Sequence, residues 1–237
     1  MWHFLTDNRP AKDHITKCIA ALEQNESAVL SCGCRTINNK NNVLTKVISI
    51  GYDFTCDLLR LFSRSNEHGS FNGFVGVAKG SFFEGERFVE EVLCEDINLN
   101  VRMYLKGKVA VPAKTCIGEQ APTTLKDFYH QRVRWFSGGV EVLKYLIPMF
   151  KASIPFSRKI SWLFTATSQY YWFLTTPIAV VYLGKIKKLS DGPLELVKIF
   201  VGYLGYAWLM TVCGIVAIIK HLISSNPDWK PTIRSDV

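Results

Sequence analysis

The sequence holds few charged side chains, and two long stretches hold none. Asp, Glu, Lys and Arg make up 20% of its 237 residues, whereas hydrophobic residues make up 48%, a balance that excludes a disordered chain. No charge occurs over the 24 positions 160–183 or the 21 positions 199–219. At a helix rise of about 1.5 Å per residue, each stretch is long enough to cross a hydrocarbon core of about 30 Å. The pattern predicts a membrane protein with two transmembrane helices and a water-facing domain of about 155 residues.

A continuous block of Lys and Arg is also absent, although the formal net charge is +8. Because proteins use such blocks to contact successive phosphates, this absence argues against a nucleic-acid partner. Seven of the 28 Lys and Arg residues lie near the first uncharged stretch, where contact with anionic lipid headgroups explains them more simply. They are Lys144, Lys151, Arg158 and Lys159 before the first stretch, and Lys185, Lys187 and Lys188 after it.

The seven cysteines lack the pattern of a disulfide framework or a zinc site, because their number is odd and their spacing is irregular. Cys32 and Cys34 form the one close pair, and alternation along a strand would place both on one face. We interpret the cysteines as buried thiols in a reducing compartment, with a metal site as the alternative. The sequence predicts no cleavable signal peptide, since its first residues reach a charge at Asp7.

Alternating strand and helix patterns predict an α/β domain with a mainly parallel sheet. The segment 144–156 mixes apolar and basic residues, as an interfacial segment does. Thr123 or Thr124 is the predicted N-cap of the helix over residues 123–145, which precedes this interfacial segment. The predicted strands are 2–5, 27–34 and 109–112, and the predicted helices are 11–24, 43–62, 95–105 and 123–145.

Glu95 and Asp96 stand at the start of a predicted helix, which the residues Lys106 and Gly107 end. The helix N-terminus stabilises carboxylates there in their ionised form. An ionised, desolvated Asp beside a cleft can take a proton from an alcohol. The alternative is that Asp96 only caps the helix.

The sequence Gln131-Arg132-Val133-Arg134-Trp135 is a second candidate for chemistry. On a helix, Gln131, Arg134 and Trp135 share one face because they are three and four positions apart. That face offers an amide, a guanidinium suited to a diphosphate and a flat ring suited to a sugar. The alternative is a helix end near the membrane, with an interfacial Trp and a solvated Arg.

A third segment, residues 69–77, is rich in glycine and aromatic residues and includes Phe71, Asn72 and Gly73. Glycine allows a backbone to pack closely against a ligand. An ordinary strand broken by glycines is the alternative.

In this order and spacing, the three segments and the uncharged stretches resemble the membrane-integrated family-2 glycosyltransferases. Cellulose, chitin and hyaluronan synthases are familiar members, and ceramide glucosyltransferase is a more distant one. The family motifs read Thr-Glu-Asp and Gln-x-x-Arg-Trp, and Cys94 stands here in place of the Thr. Phe71-Asn72-Gly73 looks like the Phe-x-Gly segment on the acceptor side of that family. The resemblance covers residues 5–183.

The resemblance implies a partial GT-A-like domain that moves a sugar, with inversion, from a nucleotide-diphosphate donor to a polysaccharide or lipid acceptor. It assigns the general base to Asp96, with Glu95 beside it, the donor diphosphate to Gln131 and Arg134, and the acceptor to Trp135, Phe71, Asn72 and Gly73.

The resemblance also implies a divalent metal, Mg²⁺ or Mn²⁺, that completes the clamp on the leaving group. The family holds this metal with an Asp-x-Asp motif. Asp7 matches the second Asp, whereas Leu5 stands where the first belongs. Asp7 is therefore the one metal ligand that the resemblance carries over.

The resulting division is a partial GT-A-like domain over residues 1–143, an interfacial segment over 144–158, a two-helix membrane region over 159–223 and a polar tail over 224–237. The family places such a protein in the membrane as a multi-pass protein with its catalytic domain on the cytoplasmic side. Because the family binds the nucleotide with residues upstream of Asp-x-Asp, we expect this chain to need an amino-terminal partner chain for donor binding. A non-catalytic membrane accessory subunit, or a truncated homologue that retains the fold, is the alternative function.

Overall fold

The computed structural model describes residues 9–63, 73 and 76–223, so the predicted strand at 2–5, Asp7, Phe71 and Asn72 lie outside the described residues. The strands are β1 (Arg9–Pro10), β2 (Ala28–Ile37), β3 (Gly76–Ala78) and β4 (Val109–Glu119). The helices are α1 (His14–Glu23), α2 (Val43–Ser63), α3 (Gly80–Phe83), α4 (Glu95–Leu105), α5 (Leu125–Glu141), α6 (Leu146–Lys151), α7 (Phe156–Thr167), α8 (Ile178–Val181), α9 (Leu183–Leu189) and α10 (Pro193–Ile223). Short 3₁₀ turns occupy Val142–Tyr145, Ser168–Tyr170 and Trp172–Thr175.

The described strands form one sheet in the order β1-β4-β2-β3. β2 and β4 run parallel, whereas β1 pairs antiparallel with β4 and β3 pairs antiparallel with β2. The described sheet is therefore mixed: its long central pair is parallel, as predicted, and its short edge strands are antiparallel, which the prediction did not include. The parallel centre follows from the long helical crossover between β2 and β4. The two edge strands are only two and three residues long, too short to show a periodicity in the sequence.

β4 is much longer than the predicted strand at 109–112. Pro112 and Gly118 interrupt the strand pattern in the sequence, yet the strand continues to Glu119. The pairing register shifts between Cys32 and Cys34, which face Pro112 and Cys116. This irregularity accommodates the proline, since proline cannot donate to a regular ladder.

The helices predicted on the water-facing domain are confirmed. α2 and α4 begin at the predicted residues, and Gly107 follows α4 with a φ of 69°, which glycine adopts without strain. Thr124 is the N-cap of α5: its Oγ1 accepts a hydrogen bond from the Asp127 backbone N–H at 3.1 Å and donates one to Asp127 Oδ2 at 2.6 Å. This reciprocal pair explains why the helix starts there.

The first uncharged stretch, residues 160–183, does not form a single transmembrane helix, and that prediction is wrong. α7 ends at Thr167, and two 3₁₀ turns precede the short α8. Hydroxyl groups donate to the backbone where α7 ends, from Thr167 to Leu163 O at 2.7 Å and from Ser168 to Thr165 O at 3.0 Å. Pro177 adds a residue without a backbone N–H. Serine, threonine and proline together break the helix here, although the stretch is long and uncharged.

The second uncharged stretch, residues 199–219, lies inside α10, whose 31 residues make it the one described helix long and apolar enough to cross a membrane. Its outward face exposes Val201, Trp208, Ile215 and Leu222. Its other face packs on α2 and α5 through Ile48, Phe128 and Tyr203, all fully buried. Lys46 on α2 ties the start of α10 down with ion pairs to Glu195 at 2.8 Å and Asp191 at 3.2 Å. α10 is thus firmly joined to the sheet domain.

Candidate active site

A cavity of about 430 Å³ lies where β2, α4 and α5 meet the segment 162–172 and α10. The site residues predicted from the sequence that line it are Gly73, Glu95, Asp96, Arg134 and Trp135. Gln131 is not among the lining residues, and Phe71, Asn72 and Asp7 lie outside the described part of the chain. The fold thus brings the acidic pair and the end of the pentad together across about 35 residues of sequence.

Asp96 is the second residue of α4, and its carboxylate lines the cavity. Burial raises its pKa to about 6, the positive charge of Arg35 opposes this rise, and Glu95 adds to it. Asp96 Oδ1 accepts a hydrogen bond from the Ile97 backbone N–H at 2.8 Å. A carboxylate with such a pKa is ionised at neutral pH and still basic enough to accept a proton from a hydroxyl.

The alternative in which Asp96 only caps its helix does not fit the geometry. The N-cap residue of α4 is Cys94, which makes no side-chain cap bond. An N-cap side chain accepts from an N–H two or three residues later, whereas Asp96 lies inside the helix and accepts from its immediate neighbour Ile97. The carboxylate of Asp96 is therefore available to the cavity.

Gly73 packs directly against Asp96. Its φ is 74°, in the left-handed region, and a β-carbon built on it would lie 2.8 Å from Asp96 Oδ2. Glycine is the residue that meets both conditions without strain or collision. Gly73 contacts Asp96, and the close packing of the segment 69–77 against a ligand stays a prediction.

The cavity face of α5 differs from the predicted face. Arg132, Trp135, Phe136 and Gly139 line the cavity at spacings of three, four and seven positions, and Arg134 also lines it. Gln131 is 4% exposed, and its Oε1 has no hydrogen-bond partner among the described residues. Arg134 and Trp135 both line the cavity, whereas Arg132 rather than Gln131 is the third residue of the pentad that does so.

Two arginines pack on Trp135, and the sequence pattern predicted a role for neither. The guanidinium carbon of Arg132 lies 4.3 Å from the Trp135 ring centroid, and that of Arg35 lies 5.2 Å from it. Both also lie over the ring of Tyr52, at 5.5 and 5.6 Å. Arg35 forms a further ion pair with the buried Glu119 at 3.7 Å. These cation–π contacts fix the indole of Trp135 at the cavity wall.

A signal for Arg35 was present in the sequence. Arg35 follows a run of buried residues in β2, near the carboxyl end of a strand that is parallel to its neighbour β4. Functional side chains of α/β sheets gather at such ends. The sequence offered less indication of a role for Arg132, because the motif Gln-x-x-Arg-Trp leaves the position of Arg132 unspecified.

The described residues do not by themselves fit a divalent metal. No group of three or more His, Cys, Asp or Glu side chains that could hold a metal ion occurs in residues 9–63, 73 and 76–223. The acidic groups that line the cavity are the neighbours Glu95 and Asp96, and the positive charge of Arg35 favours the ionised form of Asp96. A metal site would therefore depend on Asp7, outside the described residues.

Comparison with known proteins identifies the family. The sequence model of glycosyl transferase family group 2 matches residues 6–185. The chain belongs to this family. The match contains every predicted site residue, from Asp7 to Trp135, and it ends before α10.

Two plant proteins are similar to this glycosyltransferase chain, each at 26% identity. One is the probable glucomannan 4-beta-mannosyltransferase 9 of Oryza sativa subsp. japonica, 26% identical over 149 residues, which are 61% of this chain and 28% of the rice protein. The other is the probable glucomannan 4-beta-mannosyltransferase 14 of Arabidopsis thaliana, 26% identical over 146 residues, which are 60% of this chain and 27% of that protein. The chain thus spans less than a third of the length of these relatives.

Proposed function

We propose that this chain carries the catalytic base and acceptor side of an inverting glycosyltransferase, which moves a sugar from a nucleotide-diphosphate donor to a polysaccharide or lipid acceptor. The observation that carries the proposal is the half-buried Asp96, which lines the cavity in contact with Gly73 and has a pKa of about 6. Family membership supports glycosyl transfer in general. The mannosyl transfer named for the two plant relatives suggests a hexose donor.

In the proposed step, a lone pair of the acceptor hydroxyl oxygen forms a bond to the anomeric carbon of the donor. Asp96 takes the hydroxyl proton as this bond forms. The bond between the anomeric carbon and the diphosphate oxygen breaks, and the nucleoside diphosphate leaves with the electron pair. Because attack and departure occur on opposite faces, the configuration at that carbon inverts.

Arg134 lines the cavity as a cation that can neutralise the charge developing on the leaving diphosphate. We assign the second contact to Arg132 rather than to Gln131, since Arg132 lines the cavity and Gln131 does not. Trp135, held by Arg132 and Arg35, offers its ring to the acceptor. A divalent metal bound through Asp7 would add positive charge on the donor side, and no step above depends on it.

We also propose that the chain is integral to a membrane through α10, with the sheet domain on the cytoplasmic side. The length and exposed apolar face of α10 support this placement. Exposed apolar residues of α6 and α7, such as Ile147 and Phe156, lie among basic residues such as Lys151 and Lys144. Such a mixture is typical of a segment that lies in the headgroup region.

Sugar transfer by the full chain, embedded in phospholipid nanodiscs with any amino-terminal partner that donor binding requires, tests the proposed function. GDP-mannose and UDP-glucose would be supplied in turn, with Mn²⁺ and a β-1,4-linked oligosaccharide or a lipid extract as acceptor. We expect Asp96→Asn to lower turnover at least ~10²-fold, since it removes the base and keeps the shape. Glu90→Gln, at an exposed acidic residue outside the cavity, is the matched control and should leave turnover unchanged.

Equal turnover in the wild type and Asp96→Asn would refute the assignment of the base. If the chain neither binds nor turns over any of the donors when that partner is present, the proposed function fails. The non-catalytic accessory function would then be favoured.

A further inference from the structure

Three cysteines from three elements of the sheet domain lie near one arginine. Cys34 on β2 stands opposite Cys116 on the parallel strand β4. Cys56 on α2 places its Sγ 3.7 Å from the carbonyl oxygen of Arg35, the residue that follows Cys34. Arg60 lies one turn further along α2, and its interaction with the three sulfurs raises its pKa, with Cys34 as the largest cause.

Cys34 and Cys56 are buried side chains that line the cavity, whereas Cys116 is not among its described lining residues. Thr55, the neighbour of Cys56, is exposed and lines the same cavity. The cavity therefore reaches solvent beside the pair, and a molecule as small as hydrogen peroxide can approach the two sulfurs. All three cysteines are free thiols, and no group of side chains that could hold a metal ion occurs in the part of the chain that the structure describes.

Cys34 is the more reactive member of the pair. The neighbouring thiol of Cys56 is the main cause that lowers the pKa of Cys34 to about 7, and Arg60 lowers it further. Burial and the charge of Asp57 act in the opposite direction. A pKa near 7 leaves about half of the Cys34 side chains as thiolate at neutral pH, and the thiolate is the form that reacts with oxidants. Cys94 also lines the cavity, but burial raises its pKa, so it stays a thiol.

We propose that Cys34 and Cys56 form a redox pair, which hydrogen peroxide converts to a disulfide and a dithiol reductant restores, and that the disulfide lowers sugar transfer. The thiol chemistry is independent of the proposed function, whereas the effect on sugar transfer rests on it. A transient disulfide of this kind fits a reducing compartment, where disulfides serve mainly in catalysis or redox sensing.

The oxidation consumes one peroxide molecule and yields two water molecules. The Cys34 thiolate forms a bond to one peroxide oxygen, the O–O bond breaks, and the hydroxide that leaves takes up a proton to become water. The Cys56 sulfur then forms a bond to the Cys34 sulfur of the resulting sulfenic acid. The S–O bond breaks, and its hydroxide leaves with the proton of the Cys56 thiol as the second water molecule. The two sulfurs together lose two electrons, which reduce the peroxide.

The disulfide would act on the active site through Arg35, which follows Cys34 directly in β2. The guanidinium carbon of Arg35 lies 5.2 Å from the ring centroid of Trp135, and its charge lowers the pKa of Asp96. A bond between Cys34 and Cys56 draws β2 towards α2 and removes the S–H group that faces the Arg35 carbonyl oxygen. The position of Arg35 would change, and a misplacement of about 1 Å can lower turnover about 10²-fold.

Peptide mapping of the full chain tests the redox pair without any need for turnover. The chain in phosphatidylcholine nanodiscs would be treated with hydrogen peroxide, quenched with catalase, alkylated under denaturing conditions and digested without reductant. We expect mass spectrometry to find a peptide that links Cys34 to Cys56, and dithiothreitol to abolish it. Cys18→Ala is the matched control, because Cys18 lies outside the cavity and its pKa is raised by burial. The link should form in this variant as in the wild type.

Variants of the pair and of its surroundings separate the two steps of the oxidation. Cys56→Ser should stop the reaction at the Cys34 sulfenic acid, which dimedone then labels. Arg60→Met should slow formation of the link, because it removes a positive charge that lowers the pKa of Cys34. Arg87→Met, at an exposed position outside the cavity, should leave the rate unchanged.

Sugar transfer, measured with any amino-terminal partner that donor binding requires, tests the effect of the disulfide. Peroxide should lower transfer by the wild type about tenfold, because it displaces Arg35 from its place at the active site. Dithiothreitol should restore transfer. Cys34→Ser, which cannot form the disulfide, should transfer sugar at the same rate before and after peroxide.

The redox pair is overturned if peroxide yields no link between Cys34 and Cys56, or if Cys34 is linked to Cys116 instead. Equal sugar transfer by the reduced and the linked wild type would overturn the effect on transfer. If the link forms while the reduced chain and its partner transfer no sugar, the redox pair stands and the proposed function fails.

Discussion

Gly73 and Asp96 are in direct contact, and the backbone of Gly73 leaves no room for a side chain beside the Asp96 carboxylate. A β-carbon at Gly73 would lie 2.8 Å from Oδ2 and 3.1 Å from Cγ of Asp96. Gly73 therefore helps to bury the proposed base. Burial is in turn the main cause of the raised pKa of Asp96.

Replacement of Gly73 by alanine should impair the site more than the fold. Gly107 offers a matched control, because its φ of 69° is similar to the 74° of Gly73 but nothing lies within 4 Å of its missing β-carbon. We expect both alanine variants to lose about 1 kcal/mol of stability from the left-handed backbone. Only Gly73→Ala should also lower sugar transfer, by about tenfold or more, because it displaces the Asp96 carboxylate. Equal transfer rates in the two variants would show that the contact is unimportant.

Asp96→Asn should stabilise the protein at neutral pH even as it removes the base. The pKa of Asp96 is raised from 3.8 to about 6 in the folded state, so the folded protein binds a proton more tightly than the unfolded chain. Stability from this group therefore falls as the pH rises from about 4 to about 6 and stays reduced above that range, by up to about 3 kcal/mol. Thermal unfolding should show Asp96→Asn more stable than the wild type at pH 7.5, with little difference at pH 4. A variant less stable than the wild type at pH 7.5 would contradict the raised pKa.

The pH dependence of sugar transfer should follow the ionisation of Asp96. The base form accumulates as the pH passes its pKa, so turnover should reach half of its plateau near pH 6 and level off about one pH unit higher. Arg35 lowers this pKa and Glu95 raises it. Arg35→Met should therefore move the rise to higher pH, and Glu95→Gln should move it to lower pH. Arg87→Met, at an exposed position outside the cavity, is the control for loss of a positive charge. Shifts in the same direction for both cavity variants would exclude Asp96 as the titrating group.

Donor binding should distinguish the roles of Arg134 and Gln131. A guanidinium can hold a diphosphate with two parallel hydrogen bonds, whereas an ammonium cannot. Arg134→Lys should therefore weaken nucleotide-diphosphate binding about tenfold or more, as measured by calorimetry on the full chain with any partner that donor binding requires. Gln131→Leu should leave the Kd for the nucleotide diphosphate unchanged, because Gln131 does not line the cavity. Weakened binding in Gln131→Leu with unchanged folding would instead assign Gln131 to the diphosphate.

Membrane attachment should resist washing. Since α10 is 31 residues long and apolar, the protein should stay in the membrane pellet after carbonate and high-salt treatment, and detergent should release it. Lysines at the exposed α10 positions Val201 and Val212 should weaken this retention, whereas lysines at the exposed α1 positions Ile15 and Ile19 should not. Release of the wild type by carbonate would show that α10 does not cross the membrane.

The local sequence determined much of this protein. Helical spacing located α2, α4 and α5, and the pair of Thr124 and Asp127 marked the start of α5. The order of Glu95-Asp96 and the pentad predicted the glycosyltransferase family, which the family match confirms. Helix positions and caps depend on contacts between residues a few positions apart, and the family motifs are short sequence patterns. Both can therefore be read directly from the sequence.

The tertiary structure decided the rest. Spacing shows which residues of α5 share a face, but only packing against α10 and β2 determines that Arg132 and Trp135, rather than Gln131, meet the cavity. Arg35 reaches Trp135 across about 100 residues, and Gln169 reaches α5 because two glycines leave space for it. Length and lack of charge predicted a helix over residues 160–183, yet hydroxyl groups and Pro177 break it into the turns that line the site. Such outcomes depend on which surfaces meet after folding, and a one-dimensional pattern does not contain that choice.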